Sequence, residues 1–224
     1  MTVREEADYR SAEDYRLAAR FRSHTTSRFY IGVDLGQKQD HTAIVVVEKA
    51  VVERTELLLV RHVERVALGT PYPLVVAHLR EMVSRKELRR QCALTVDGTG
   101  LGGPVVEMLR AAGLGCEITA VTITGGEREG RSRGLSVSVP KRDLIAGVQV
   151  ALDNGKLRIA RRLKELGSLV RELVDVRMTS GLGTGRVRIG ADGYGEHDDL
   201  VIALALACWR AQRRGNGERG QRLF

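Results

Sequence analysis

The stretch FYIGVDLGQKQDHTAIVVVE, residues 29–48, carries two signals side by side. FYIGVDLG is a short apolar run that closes on Asp34 and a glycine, and TAIVVVE is continuous and β-branched. Both lack a polar stripe at helical spacing, so they read as neighbouring strands covered on both faces. ELLLVRHVERV, residues 56–66, adds a third strand, and the folded part opens as a strand meander.

Working outward, YPLVVAHLREMVSRKELRRQ (72–91) places Leu74, Val75, His78, Leu79, Met82 and Val83 on one helical face opposite charged residues, which predicts a helix packed across the sheet. CALTVDGTG is a strand running into a Gly-rich turn. GPVVEMLRAAG is a helix beginning near Pro104 and ending at Gly113. CEITAVTIT is a strand, KRDLIAGVQVALDNG a helix and LRI a short strand. RRLKELGSLVRELVDVRM (161–178) reads as one further helix, GTGRVRIG as a strand after a Gly-rich turn, and HDDLVIALALACWRA as an apolar helix with acids at its start. The Gly-, Arg- and Ser-rich segment 125–138 reads as a mobile basic loop. Strands first in series and then alternating with helices predict an α/β domain around one mixed sheet. The domain is expected over 29–210, after a helical and linker segment at 1–28 and before a basic disordered tail at 211–224.

Composition narrows the function classes. With 43% hydrophobic and 29% charged residues in 224, the chain can bury a core. No apolar run reaches the roughly 18–20 residues of a membrane span, and the charged start MTVREEADYR is no signal peptide. Three widely spaced cysteines support neither a disulfide framework nor a zinc site, which points to the cytoplasm. The net charge of +8 has two main sources. Residues 125–142 hold five basic residues against two Glu, and residues 210–224 hold five Arg against one Glu. Arg128, Arg131, Arg133, Lys141 and Arg142 therefore make one candidate surface for a polyanion, with Arg186 and Arg188 on a nearby strand as a second. Few aromatic residues are available for base stacking, so duplex backbone is the favoured nucleic-acid partner. The other reading of the same charges is a solvated surface.

Three acidic positions stand where elements end beside small residues. Asp34 closes the first strand, Asp97 closes the strand in TVDGTG, and Asp198 and Asp199 open the last helix. Ligands collect at the carboxyl ends of strands in α/β sheets, so Asp34 and Asp97 become neighbours there if their strands are adjacent and parallel. A helix start aimed at the same edge adds the third acid. Clustered carboxylates repel unless a cation neutralises them, and hard oxygen ligands suit Mg²⁺ or Mn²⁺. Two such ions about 3.5–4 Å apart can activate water and stabilise the leaving oxygen in phosphodiester hydrolysis. Any one of these Asp residues is equally at home in a turn or as a helix cap.

IGVDLGQKQDHTAIVVVE, LTVDGTGLGGPVVEML and GEHDDLVIALALA, in this order, resemble the nuclease domain of phage large terminase subunits, members of the RNase H-like superfamily. KRDLIAGVQVALDNGKLRIARRLKELGSLVREL is similar to the segment before the family's last acid. The resemblance implies an RNase H-like mixed β-sheet flanked by helices. It also implies a metal-dependent endonuclease that cuts concatemeric double-stranded DNA during genome packaging, encoded by a phage or prophage and acting in the host cytoplasm. The family's acids fall on Asp34, Asp97 and the HDD stretch. Asp199 is preferred for the third, because Asp199, Ala203 and Ala207 share a helical face whose small side chains allow close approach to the sheet. Asp198 and His197 would then assist a metal or its water. Asp40 reads as a turn residue first. The chain contains no GxxxxGK[ST] motif, so the expectation is the nuclease part of a divided or truncated terminase or a stand-alone relative, for which a separate terminase ATPase, small subunit and portal are the partners the resemblance offers. The rival expectations are a Holliday-junction resolvase-like nuclease, a sugar-kinase or actin-like ATPase and a non-catalytic DNA-binding or assembly module on the same fold.

Overall fold

The computed structural model describes residues 27–36, 40–52, 55–100, 102–131, 136–180, 187–190 and 198–213. Three strands come first: β1 (Arg28–Asp34), β2 (Ala43–Val52) and β3 (Thr55–Arg65). Then follow helix α1 (Tyr72–Ser84), β4 (Cys92–Asp97), α2 (Gly102–Ala111) and β5 (Glu117–Thr124). The chain continues through β6 (Gly130–Arg131), β7 (Ser136–Pro140), α3 (Lys141–Asp153), β8 (Leu157–Ile159) and α4 (Leu166–Asp175). Its last described elements are β9 (Arg177–Ser180), β10 (Val187–Gly190) and α5 (Asp199–Gln212).

Among the described residues, eight strands form one sheet in the order β6-β7-β5-β4-β1-β2-β3-β8, and β9 and β10 form a separate antiparallel pair. β1 pairs antiparallel with β2 and parallel with β4, so the sheet is mixed. The continuous apolar character of β1 and β2 is explained by burial on both sides. Phe29, Ile31, Val33, Ile44 and Val46 pack toward α1 and α2. Tyr30, Ala43, Val45 and Val47 face the opposite layer with α3, α4 and α5. Helix α5 buries all of Asp199–Cys208, as its unbroken apolar sequence requires. It lies directly on β1: a Cβ built on Gly32 would come within 1.9 Å of the Ala203 carbonyl oxygen and 2.8 Å of the Ala207 nitrogen. Only glycine leaves room for that approach, and Ala203 and Ala207 are the small residues facing it.

Several expectations are corrected. In α1, Leu74 is 59% exposed and Val76 is buried instead. At 100° per residue, Leu74 stands about 140° from the central Leu79, whereas Val76 stands about 60° from it. Helix α4 begins only at Leu166, and residues 177–178, read as its end, pair with β10 instead. The segment 125–138 is not simply a loop, because β7 extends the sheet beside β5 and β6 pairs with it. The alternation in SVSVP, with Val139 buried, is a strand signal hidden by the Gly-rich residues before it. Glu129 ties this segment down by accepting from the Trp209 indole N–H at 2.8 Å and pairing with Arg213, whose guanidinium lies 4.1 Å from the Trp209 ring centre. Helix α5 continues to Gln212, past the expected start of the tail. The three cysteines are free thiols, and no helix among the described residues is long and apolar enough to cross a membrane. The expected helix within residues 1–28 and the tail from 214 onward fall on residues outside those described, apart from Ser27 and Arg28, the latter opening β1.

Candidate metal-binding carboxylate site

Parallel pairing of β1 with β4 puts Val33 beside Val96, so Asp34 and Asp97 follow as neighbours at the carboxyl ends of adjacent strands. This meets the condition on which their joint use depends. Asp34 is also in register with Ala43, and Ala43 with Arg65. By strand alternation all four side chains leave the same face, the one covered by α5. Asp97, Asp34, Ala43 and Arg65 thus form one row across β4, β1, β2 and β3, with the start of α5 above it.

The loop after β1 is tight. A Cβ on Gly36 would lie 2.2 Å from the Asp40 carbonyl oxygen, and the Gly36 N–H donates to Thr42 Oγ1 at 3.2 Å. Asp34, Gly36, Asp40, His41, Asp198 and Asp199 line a cavity of about 210 Å³. Imidazole Nδ1 of His41 donates to the Val66 carbonyl at 2.9 Å, which fixes the ring at the cavity wall. Asp97 is held by an Asx-type turn, with its Oδ1 accepting from the Thr99 N–H at 2.8 Å and the Thr99 hydroxyl at 2.5 Å.

Charge is concentrated here. Burial pushes the Asp34 carboxyl well above the ordinary carboxylate range, and the negative charges of Asp97, Asp198 and Asp199 push it in the same direction. Asp97 is also raised, by burial, against the hydrogen bonds from Thr99. The counter-charge comes from two basic residues. Lys141, the first residue of α3, begins where β7 ends at the same sheet edge, and its ammonium pairs with Asp198. It lowers both Asp34 and Asp97. Arg65 grips Asp199, with Nε on Oδ2 at 3.0 Å and Nη2 on Oδ1 at 2.8 Å.

Among the described residues no group of three His, Cys, Asp or Glu side chains is gathered closely enough to hold a metal ion as it stands. The donors nonetheless fit a hard divalent cation, since Asp34, Asp97 and Asp198 offer carboxylate oxygens to one edge and Asp34 bears the repulsion of its neighbours.

The expected residues fall into three groups. Asp34, Asp97, Asp198, Asp199 and Lys141 come together. Arg128 and Arg142 lie outside this cluster, Arg142 donating to the Glu127 carbonyl at 2.8 Å. Arg131 and Arg188 sit in β6 and β10, whereas Arg133, Arg186 and His197 lie outside the described residues. Sequence reasoning missed Arg65, Glu172 and His41. Glu172 had a signal, because it stands three residues after the buried Leu169 on the inward face of α4. A buried acid on an apolar stripe needs a partner.

The family model for the terminase RNaseH-like domain matches residues 31–210. The chain belongs to the terminase RNase H-like family. The match takes in Asp34, Asp97, Asp198 and Asp199. No curated protein matches the chain significantly. Among solved structures, the chain is similar to the nuclease domain of the large terminase from bacteriophage SPP1 with bound Mn, at 12% identity and TM-score 0.51 over 82% of this chain and 86% of that one. It is also similar to the human cytomegalovirus terminase nuclease domain, Mn soaked, at 14% identity and TM-score 0.52 over 92% of both chains. A third is a mutant nuclease domain of the large terminase subunit of bacterial virus Sf6 with manganese and β-thujaplicinol, at 13% identity and TM-score 0.55 over 81% of this chain and 87% of that one. At such identities the shared property is the fold, an RNase H-like α/β domain.

Proposed function

We propose that this chain is a metal-dependent DNA endonuclease of the terminase kind, hydrolysing phosphodiester bonds of double-stranded DNA during genome packaging. The observation that carries this reading is the register of β1 and β4, which makes Asp34 and Asp97 neighbours at the edge where α5 delivers Asp198 and Asp199. Asp34, Asp97 and the acidic pair, with His197 as a further donor, would hold Mg²⁺ or Mn²⁺, two ions in the fullest form. When bound, such ions supply water activation and neutralise charge on the scissile phosphate. The chain's own residues have separate tasks. Asp34 would ligate as the anion, the form that burial and its acidic neighbours disfavour until a cation offsets them. Lys141 offsets part of the upward shift of Asp34 and Asp97 and would face a substrate phosphate.

The packaging ATPase, small subunit and portal are the partners this reading implies. Purified chain is expected to nick and linearise plasmid with Mn²⁺ and to stop on addition of EDTA; intact plasmid across a range of salt and protein concentrations would sink the reading. The basic residues around 125–142 are assigned to duplex backbone. Replacing Arg131 and Arg133 by Ala is expected to weaken duplex binding and to flatten the slope of log affinity against log salt by up to about 1.8 if both contact phosphate. An unchanged slope would return them to the solvated surface.

A further inference from the structure

Asp199 is gripped by Arg65, which is itself held by Glu172, and neither residue is one of the clustered aspartates. Arg65 reaches it from β3, two strands away from Asp34, and bonds both carboxylate oxygens. The same Nη2 also bonds Oε1 of Glu172 on α4. Glu172 uses its other oxygen on the start of α5, accepting from the Leu200 N–H at 2.9 Å and the Val201 N–H at 3.0 Å. Those N–H groups belong to the first turn, where a helix has no internal acceptors. Glu172 and Asp199 are both about 6% exposed, so water offers them little alternative. The planar guanidinium, at the end of a long and flexible stem, is held between two carboxylates, and the Asp199 carboxylate it grips is fixed in plane and direction.

We propose that Arg65 and Glu172 are positioning residues of the carboxylate site, a linked pair that orients Asp199 toward Asp34 and Asp97 and thereby sets the affinity for the divalent cation. The inference rests on the nuclease reading and deepens it. Glu172 has two roles that can be separated. Its carboxylate caps α5, and its second oxygen anchors Arg65. A glutamine can keep its carbonyl oxygen on the two N–H groups while turning its amide toward Arg65, where two donors face one another. Glu172→Gln therefore preserves the cap and cuts the link. Arg65→Lys cuts it from the other side, because an ammonium lacks the fork that spans both Asp199 oxygens.

The test is calorimetric Mn²⁺ titration of the whole chain without DNA, for wild type, R65K, E172Q, D199N and the double variant R65K/D199N, with Tm recorded for each. R65K and E172Q are expected to bind Mn²⁺ about 10- to 100-fold more weakly, the range typical of residues that orient a metal ligand. R65K should have no further effect once Asp199 is already Asn, since it acts through that carboxylate. An effect of R65K that persists undiminished in the D199N background, or Mn²⁺ affinities within twofold of wild type in both single variants, overturns the inference. Should R65K fail to fold, E172Q decides alone. Wild-type chain that binds no Mn²⁺ sinks the nuclease reading and this inference together, whereas wild-type binding with unaffected single variants sinks this inference only.

Discussion

Asp34→Asn is expected to cut Mn²⁺-dependent cleavage by about three orders of magnitude, equivalent to roughly 4 kcal/mol of lost transition-state stabilisation. Asn keeps the shape and loses the anionic oxygen that a hard cation prefers. The same change is expected to raise the Tm of the metal-free protein at neutral pH. Asp34 is raised above its ordinary value by burial and by Asp97, Asp198 and Asp199. Between the unfolded and folded values the folded form of Asp34 therefore holds a proton that the unfolded form has already released. Its contribution to stability is neutral below the unfolded value, falls as pH rises between the two values, and is fully unfavourable above the folded one. Replacing it by a neutral isostere removes that penalty. Added Mn²⁺ should then stabilise wild type more than D34N, because only wild type gains the full ligand set. Cleavage by wild type should fall as pH is lowered, as Asp34 and Asp97 take up protons and cease to ligate. Nuclease assays from pH 5 to 9, paired with thermal melts with and without Mn²⁺, read all of these. Wild-type cleavage by D34N would remove Asp34 from the site, and a lower metal-free Tm would show that its role in the fold is favourable.

Asp34 and Asp97 were legible because strands end in a recognisable way: β-branched or apolar residues, then Asp, with glycine one or two places on. Their meeting was only conditional, since strand order is a non-local property that neither segment encodes alone. The parallel pairing of β1 with β4 supplies it. The third acid was legible as a helix start, and Ala203 and Ala207 correctly marked the face laid against the sheet. Arg65 was illegible for a different reason. In ELLLVRHVERV four charged or polar residues, Arg61, His62, Glu64 and Arg65, follow the apolar run among Val63 and Val66, and which of them turns inward depends on register. The register of β2 and β3 shifts between Val46 and Val47, where Arg61 is the additional residue on β3. A bulge inserts one residue and reverses which positions face each side, so alternation counted from Leu57 misplaces Arg65. Lys141 was read as a phosphate contact from its basic neighbours. Its pairing with Asp198 follows from α3 starting at the sheet edge, which required β7, the strand concealed in a Gly- and Ser-rich stretch.

Gly32→Ala is expected to be the most damaging single-methyl change in the domain and to test how tightly fold and site are joined. The added Cβ meets backbone rather than side chain, at 1.9 Å from the Ala203 carbonyl oxygen, so no rotamer change relieves it. Either β1 or α5 must move. Both lie in the buried centre, where Ile31, Val33, Leu204 and Leu206 are each fully enclosed. Such overpacking costs on the order of 3 kcal/mol, which for a domain of this size lowers Tm by roughly 6–12 °C. A helix pushed off the strand also carries Asp198 and Asp199 away from Asp34, since α5 starts only one turn before Ala203. Mn²⁺ affinity should therefore fall in the part of the G32A population that stays folded, and more steeply than in a control such as Val148→Ala. That residue belongs to the same core layer but lies on α3, away from β1. Loss of stability without loss of metal affinity at 10 °C, where the variant is still folded, would mean that the carboxylate site tolerates displacement of α5. Loss of both is what a site built on direct helix-to-strand backbone contact requires.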